Sequence, residues 1–214
     1  NAMSISSAGS ERDFLDDLSR PDDQSLTIGS ILQVALRGAF ANMMDGKYFS
    51  RFYSNYYASP DSLRASKRDF LQLQYGSLQD LLAYGKRHLV PGFSVSLAEG
   101  ISEVRVGTRR NSALKLIILL QEICMNAVKY SSFVERAERS LQISGVSSDR
   151  GIELEFRNAF VPERQHEASG TLQGDAIIAD LARQMGIALE TTEDAAGFFA
   201  RRLTISSASN TQEG

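Results

Sequence analysis

Residues 121–131, QEICMNAVKYS, are the most informative stretch of this sequence. They place Glu122, Asn126 and Lys129 at positions i, i+4 and i+7, so a helix carries a carboxylate, an amide and an ammonium group on one stripe. Polar groups at the end of a buried helix need partners, and a Mg²⁺–nucleotide is one candidate. The alternative is a solvated face with an internal ion pair, which the spacing alone favours. The preceding residues are apolar on nearly every helical face and predict a buried helix: Leu114, Leu116, Ile117, Ile118, Leu119 and Leu120.

This segment resembles the N-box of the histidine-kinase-like ATPases, the family of sensor kinases, gyrase, Hsp90-type chaperones and MutL-type proteins. The letters NAVKY are closest to the histidine-kinase branch. The resemblance implies that Asn126 ligates Mg²⁺, that Glu122 acts as base on the attacking nucleophile, and that Lys129 contacts phosphate. It therefore implies ATP and Mg²⁺ as cofactors.

Length, composition and charge restrict the number of domains and the class of protein. The chain has 214 residues, 43% of them hydrophobic, which allows one or two domains with a core. A net charge of −3 argues against a dedicated nucleic-acid binder, and no apolar run approaches the roughly 20 residues of a membrane span. The single cysteine, Cys124, falls in the apolar helix and is expected to be an unreactive core thiol. Asn1 and Ala2 before Met3 look like a tag remnant, so we expect a stand-alone cytoplasmic protein.

Four segments are predicted along the chain: a tag remnant and flexible tail (1–24), a helical hairpin (25–90), an ATPase-like domain (91–206) and a flexible tail (207–214). The first hairpin helix begins near Thr27, with apolar residues at spacings of three and four. The second is expected to run from Pro60 to about Tyr84, with Leu71, Tyr75, Leu78 and Leu82 on one face. Such a hairpin leaves apolar surface that a second copy could cover, which predicts a homodimer.

Beyond residue 91 the periodicity changes to that of an α+β fold. Alternating segments predict the order strand, strand, helix, strand, strand, helix, strand, strand, and Gly186 is placed to end the second helix. We expect a mixed sheet with helices on one face. This order also resembles the ATP-binding α/β sandwich of the same kinase family, over about residues 93–205.

The family's two glycine motifs are degenerate here. Asn158 stands where the family has an Asp that hydrogen-bonds the adenine amino group, and Ala159 and Phe160 replace the glycines that follow. Such replacements are expected to obstruct the nucleotide, and Asn158 also suits an ordinary turn after a strand.

The second motif aligns with Gly170 and Gly174 ahead of a helix, where backbone N–H groups would cradle phosphates. Glycine before a helix is common, and Asp175 would serve as an ordinary cap. Asp175 also adds negative charge at the phosphate end, which is unfavourable for ATP.

The phosphoacceptor of the sensor kinases is not apparent. Residues 36–43 resemble that motif in one kinase subgroup, with Gly38 where the histidine would be. His88 and His166 fall at unsuitable places. We therefore do not expect the chain to phosphorylate itself in the usual way.

The resemblance implies a signalling protein that binds Mg–ATP or acts as a kinase on a partner protein. The alternative is a degenerate pseudokinase or a histidine-phosphotransferase-like dimeric scaffold that docks a response-regulator-type partner. A third interpretation is an unrelated α+β domain that binds a small ligand. The sequence alone leaves open whether the chain is an enzyme.

Overall fold

The computed structural model describes residues 24–44, 59–73, 76–85, 92–108, 110–161, 173–194 and 197–206. The chain begins there with strand β1 (Gln24–Thr27), followed by helix α1 (Ile28–Met44). The hydroxyl of Thr27 accepts the N–H of Ser30 at 3.2 Å and so caps the helix. The apolar face of α1 is buried within this chain: Ile28, Ile31, Leu32, Ala35, Leu36, Ala39 and Phe40.

The second hairpin helix is not continuous, and this expectation was wrong. Helix α2 (Pro60–Gln72) ends before Gly76, and helix α3 (Leu78–Tyr84) starts anew. Ser77 and Asp80 form a capping box at the new start. The carbonyl of Gly76 accepts the side-chain amide of Gln33 at 2.7 Å, which fixes the break against α1. Leu71, predicted to share a face with Leu78, is 75% exposed.

The remaining elements alternate as predicted. They are β2 (Ser94–Leu97), a 3₁₀ turn (Ile101–Glu103), β3 (Arg105–Thr108), α4 (Arg110–Ser131), β4 (Ser140–Ser148), β5 (Gly151–Ala159), α5 (Gln173–Gln184), β6 (Ala188–Glu193) and β7 (Phe198–Ser206). A five-stranded sheet has the order β2-β4-β5-β7-β6, with β2 parallel to β4 and the other pairs antiparallel. Helices α4 and α5 pack against each other and against one face of this sheet. The predicted fold class, α+β with a mixed sheet, is therefore confirmed.

Strand β3 lies outside that sheet, contrary to the expectation of one open sheet. It pairs with β1 in an antiparallel ladder in which Leu26 lies opposite Val106. Helix α1 also packs along α4. The segment predicted as a hairpin is thus joined to the following segment by a ladder and a helix pair. The division near residue 90 stays a prediction.

Helix α4 is largely buried, as its composition predicts. Two of its apolar residues depart from that expectation, since Leu114 and Ile118, one turn apart, are 42% and 46% exposed. Cys124 is buried, and burial raises the pKa of its thiol to about 12, which confirms an unreactive core position. Gly186 has φ 64° and ends α5, as predicted.

The sheet presents one apolar face to the two helices. Residues directly opposite each other on β5 and β7 share that face, including the pairs Phe156 with Arg201 and Asn158 with Phe199. The predicted tails (1–24 and 207–214) lie outside the described residues except for Gln24, which begins β1. Tyr75, His88, His166 and Gly170 also lie outside them. The side chain of Met43 is likewise not described.

Candidate functional site

The polar stripe of α4 lies in the C-terminal half of the helix. Asn126 is only 4% exposed, and Glu122 and Lys129 are half-buried on either side of it. A helix brings residues four apart to within about 6 Å, so the three side chains form one continuous polar strip. This strip faces the start of α5.

Gly174, in the first turn of α5, lies directly against the strip. A Cβ atom added there would be 3.4 Å from Asn126 Oδ1 and 3.5 Å from Glu122 Oε2. These distances are ordinary van der Waals contact, so the start of α5 lies directly beside both oxygen atoms. The structure therefore brings Glu122, Asn126 and Gly174 together around one point.

Asp175, next in the chain, engages the central residue of the strip. The side-chain amide nitrogen of Asn126 donates a hydrogen bond of 3.0 Å to Asp175 Oδ1. The amide of Asn126 is thus already held by a carboxylate of its own chain. This places the negative charge noted in the sequence directly on the proposed Mg²⁺ ligand.

Arg201 of β7 completes the cluster from the sheet. Its Nη2 lies 2.5 Å from the same Asp175 oxygen, and the side chains of Arg201 and Asp175 are 7% and 50% exposed. The guanidinium carbon lies 5.0 Å from the centre of the Phe199 ring. Within the described part of the chain, Nε and Nη1 of Arg201 are buried and have no hydrogen-bond partner. Arg201 therefore has donors left over after pairing with Asp175.

Burial dominates the electrostatics of the strip. It raises the pKa of Glu122, and the charge of Lys129 opposes that shift. Burial also lowers the pKa of Lys129, while the charges of Asp175 and Glu122 act in the opposite direction and Arg201 adds to the lowering. The neighbouring Tyr130 has a raised pKa, chiefly through burial and then through Asp175. Two acids and two bases thus share a partly desolvated space.

Asn158 lies on the core-facing side of β5, near the C-terminal end of α4. It is 4% exposed, and its amide nitrogen donates to the carbonyl of Ala159 at 3.0 Å. The hydroxyl of Ser131, the last residue of α4, reaches that carbonyl at 3.4 Å. Because Asn158 is opposite Phe199, it lies one diagonal step from Arg201, about 7–8 Å on a sheet.

Aromatic packing fills the space where the family's first glycine motif would lie. Phe160 is buried and packs edge-to-face on Phe199, with ring centres 5.8 Å apart. Tyr130 contacts the same Phe199 ring, again with centres 5.8 Å apart. A cavity of about 620 Å³ opens beside this cluster, between residues 133–140 and the end of β5. Phe160 therefore packs in the core at this position.

The position of the missing phosphoacceptor is also occupied. A Cβ atom on Gly38 would lie 2.2 Å from Oε1 and 2.8 Å from Cδ of Gln121 on α4. The absence of a side chain at Gly38 leaves room for the Gln121 side chain of α4. A histidine at position 38 would require Gln121 to move.

Sequence reasoning missed Arg201. The signal was available, because Phe199, Arg201, Leu203 and Ile205 alternate along β7 and share its core-facing side. An arginine in that row is a charge at a core position, which calls for a partner. Asp175 is that partner.

The donor set fits a Mg²⁺ ion in its chemistry. Mg²⁺ prefers carboxylate and carbonyl oxygens, and Glu122 Oε2 and Asn126 Oδ1 converge beside Gly174. Over the described ranges there is no group of three His, Cys, Asp or Glu residues that could hold a metal by themselves. The same ranges contain no helix that is long and apolar enough to cross a membrane.

No family model matches this chain, and no curated protein matches it. Among solved structures, it is similar to the histidine kinase domain of a blue-light activated histidine kinase from Erythrobacter litoralis, with 18% identity and a TM-score of 0.45. That match covers 71% of this chain and 83% of the other. It is also similar to the cytoplasmic segment of histidine kinase QseC, with 14% identity, coverage of 91% and 90%, and a TM-score of 0.42. A third is the ATP binding domain of PrrB from Mycobacterium tuberculosis, with 19% identity, coverage of 68% and 91%, and a TM-score of 0.41.

Two of these proteins are named as histidine kinases and one as an ATP-binding domain.

Proposed function

We propose that this chain is a signalling module of the histidine-kinase type whose site at α4 and α5 binds a Mg²⁺–nucleotide, ATP in the first instance. One observation carries the proposal. Glu122, Asn126 and Lys129 form a partly buried strip that meets the start of a helix at a glycine, with the side-chain oxygens of Glu122 and Asn126 around one point. A strip of that kind is costly to bury unless a ligand or partner uses it.

Each residue has a distinct role in this proposal. Asn126 Oδ1 holds Mg²⁺, and Lys129 lies against the phosphates as a point charge. The raised pKa of Glu122 makes its carboxylate a better proton acceptor, so it serves as the base toward the attacking hydroxyl. Mg²⁺, when bound, neutralises charge on the transferring phosphoryl group. Gly170 and Gly174 would approach the phosphates through their backbone, and Asn158 would face the base.

A second candidate function is a degenerate scaffold of the pseudokinase or phosphotransferase type. It is favoured by the hydrogen bond from Asn126 to Asp175, which already takes the amide, and by the packing of Gly38 on Gln121. Such a scaffold would dock a response-regulator-type protein without transferring phosphate. The two functions differ in whether nucleotide binds at all.

The partner, the oligomeric state and the location belong to the same proposal. We propose a homodimer through the helical segment, a response-regulator-type partner, and a cytoplasmic place of action. The apolar face of α1 is buried within the chain, so a dimer would use other residues, such as the exposed Leu71 of α2. Sedimentation over a hundredfold concentration range tests the dimer, and an unchanging monomer mass contradicts it.

The test of nucleotide binding compares two lysines of α4. Lys129→Met removes the charge of the strip, whereas Lys115→Met removes the same charge about 21 Å away along the helix. We expect the first to weaken binding of a non-hydrolysable ATP analogue at least about tenfold, or about 1.4 kcal/mol, and the second to leave it unchanged. Equal effects of the two substitutions contradict the site.

A further inference from the structure

Arg201 stands out among the residues that the proposed function does not use. It lies in the apolar row of β7, opposite Phe156, and only 5% of the residue is exposed to solvent. Only its Nη2 is paired, with Asp175, while Nε and Nη1 have no partner among the described residues. A buried guanidinium with two spare donors is a costly arrangement that a protein keeps for a reason other than stability.

Asp175 pairs with this guanidinium at the position where a ligand would bind it. One oxygen of its carboxylate accepts from both Asn126 and Arg201, and its charge also acts on Lys129. An amide donor, a guanidinium and an ammonium group are the donor set that recognises a phosphoryl oxygen. The side chain of Asp175 is 50% exposed, so water can solvate the carboxylate when a ligand displaces it.

We propose that Arg201 is a further binding residue of the site, that it pairs with Lys129 around one phosphoryl group, and that Asp175 occupies this position until such a group displaces it. The inference rests on the proposed nucleotide site for the source of the phosphoryl group. Arg201 adds a positive charge from the sheet to the site between the two helices, and Asp175 competes with the phosphoryl group for that charge. Affinity for phosphate is therefore set by the contest between ligand and Asp175.

The test uses inorganic pyrophosphate, without Mg²⁺ and without a base, titrated calorimetrically into the full chain. Asp175→Asn keeps an oxygen acceptor for Asn126 and removes the competing charge. We expect this variant to bind pyrophosphate at least about tenfold more tightly than the unaltered chain. Adding Arg201→Met to it should abolish the gain.

Asp180→Asn is the matched control. It removes one negative charge from the same helix, at a surface position where Asp180 pairs with Arg183 and contacts Gln184. We expect it to change pyrophosphate affinity by less than about twofold, because Asp180 pairs with Arg183 instead of Arg201 and lies about 7.5 Å further along the helix. A gain equal to that of Asp175→Asn would show a general charge effect and overturn the proposal. So would a double variant that binds as tightly as Asp175→Asn alone.

A second measurement covers the case in which Asp175→Asn does not fold. In the unaltered chain, the Nε–H resonance of Arg201, identified by its loss in Arg201→Met, should shift as millimolar pyrophosphate is added. A resonance that does not move overturns the proposal. ADP is titrated in parallel. If ADP binds more tightly than pyrophosphate, a nucleotide is the source of the phosphoryl group; if the two bind equally, the site recognises the phosphoryl group alone. Both results support the pair of Arg201 and Lys129.

Failure of this inference is distinguishable from failure of the proposed function. If the unaltered chain binds the ATP analogue with Mg²⁺ but Asp175→Asn gains nothing toward pyrophosphate, the nucleotide site stands and the role of Arg201 falls. If Asp175→Asn gains affinity while no variant binds ATP, the phosphoryl pair stands and the nucleotide proposal falls.

Discussion

Asp175 and Arg201 form an ion pair between the first turn of α5 and the core-facing side of β7, with a nitrogen–oxygen distance of 2.5 Å and very unequal burial. The arginine is almost fully enclosed, and the aspartate is half-exposed. The pair joins the strip of α4 to the sheet, because the same aspartate oxygen also accepts from Asn126.

Removing the two partners should have opposite effects. Arg201→Met eliminates two buried unpaired donors and leaves an aspartate that water can solvate, so we expect the free energy of unfolding to stay unchanged or rise by up to about 1 kcal/mol. Asp175→Ala leaves the guanidinium buried and unpaired, so we expect a loss of about 1–3 kcal/mol. Urea unfolding of both variants measures this. Equal losses would mean that the pair stabilises the fold by itself.

Gly38 and Gln121 should be energetically coupled. Gly38→Ala gains helix propensity, but its methyl group meets the Gln121 side chain. With Gln121→Ala in place the clash disappears, and we expect Gly38→Ala to stabilise by about 0.5–1 kcal/mol. A double-mutant cycle measured by thermal unfolding gives the coupling. The same effect of Gly38→Ala in both backgrounds would contradict the close helix contact.

Glu122 should make stability depend on pH. Burial raises its pKa in the folded state, so its favourable contribution is complete below the ordinary glutamate pKa and is lost as pH rises through the folded-state pKa. At neutral pH we expect Glu122→Gln to be more stable than the unaltered chain, by less than about 1 kcal/mol because the side chain is half-exposed and Lys129 opposes the shift.

Urea unfolding at about pH 4 and at about pH 7 tests this expectation, since the difference should shrink at the lower value. A variant that is less stable at neutral pH would show that the attraction between Glu122 and Lys129 outweighs burial.

The Cys124 thiol should resist modification in the folded chain. Its burial and its pKa of about 12 leave almost no thiolate at neutral pH. We expect a disulfide reagent to label no thiol at Cys124 under native conditions and to label it fully in urea. Rapid native labelling would mean that α4 opens readily.

Local patterns predicted the elements of the fold, whereas contacts between distant segments escaped them. The strands of the sheet and helix α4 followed from residue periodicity, because a half-buried element imprints its repeat on the sequence. The pairing of β1 with β3 did not, since a four-residue strand carries no signal of a partner far along the chain.

Helix starts and buried charges were the other omissions. Apolar spacing alone extended the second helix through Gly76, although Ser77 and Asp80 form a capping box there. Helical spacing predicted the strip of Glu122, Asn126 and Lys129, and the family resemblance predicted Gly174. Arg201 was missed because the strand pattern does not show which side chain a core-facing arginine meets, and its partner Asp175 lies in a different element. Which side chains meet across elements is a property of the packed structure.

The most direct test of the central claim is a calorimetric titration of the full chain with a non-hydrolysable ATP analogue, with and without Mg²⁺, repeated on Asn126→Ala. The account predicts Mg²⁺-dependent binding by the unaltered chain, weakened by the competing Asp175, and no binding by a folded Asn126→Ala variant. No binding of the analogue at millimolar concentration, or binding that is equally tight in Asn126→Ala, would contradict it.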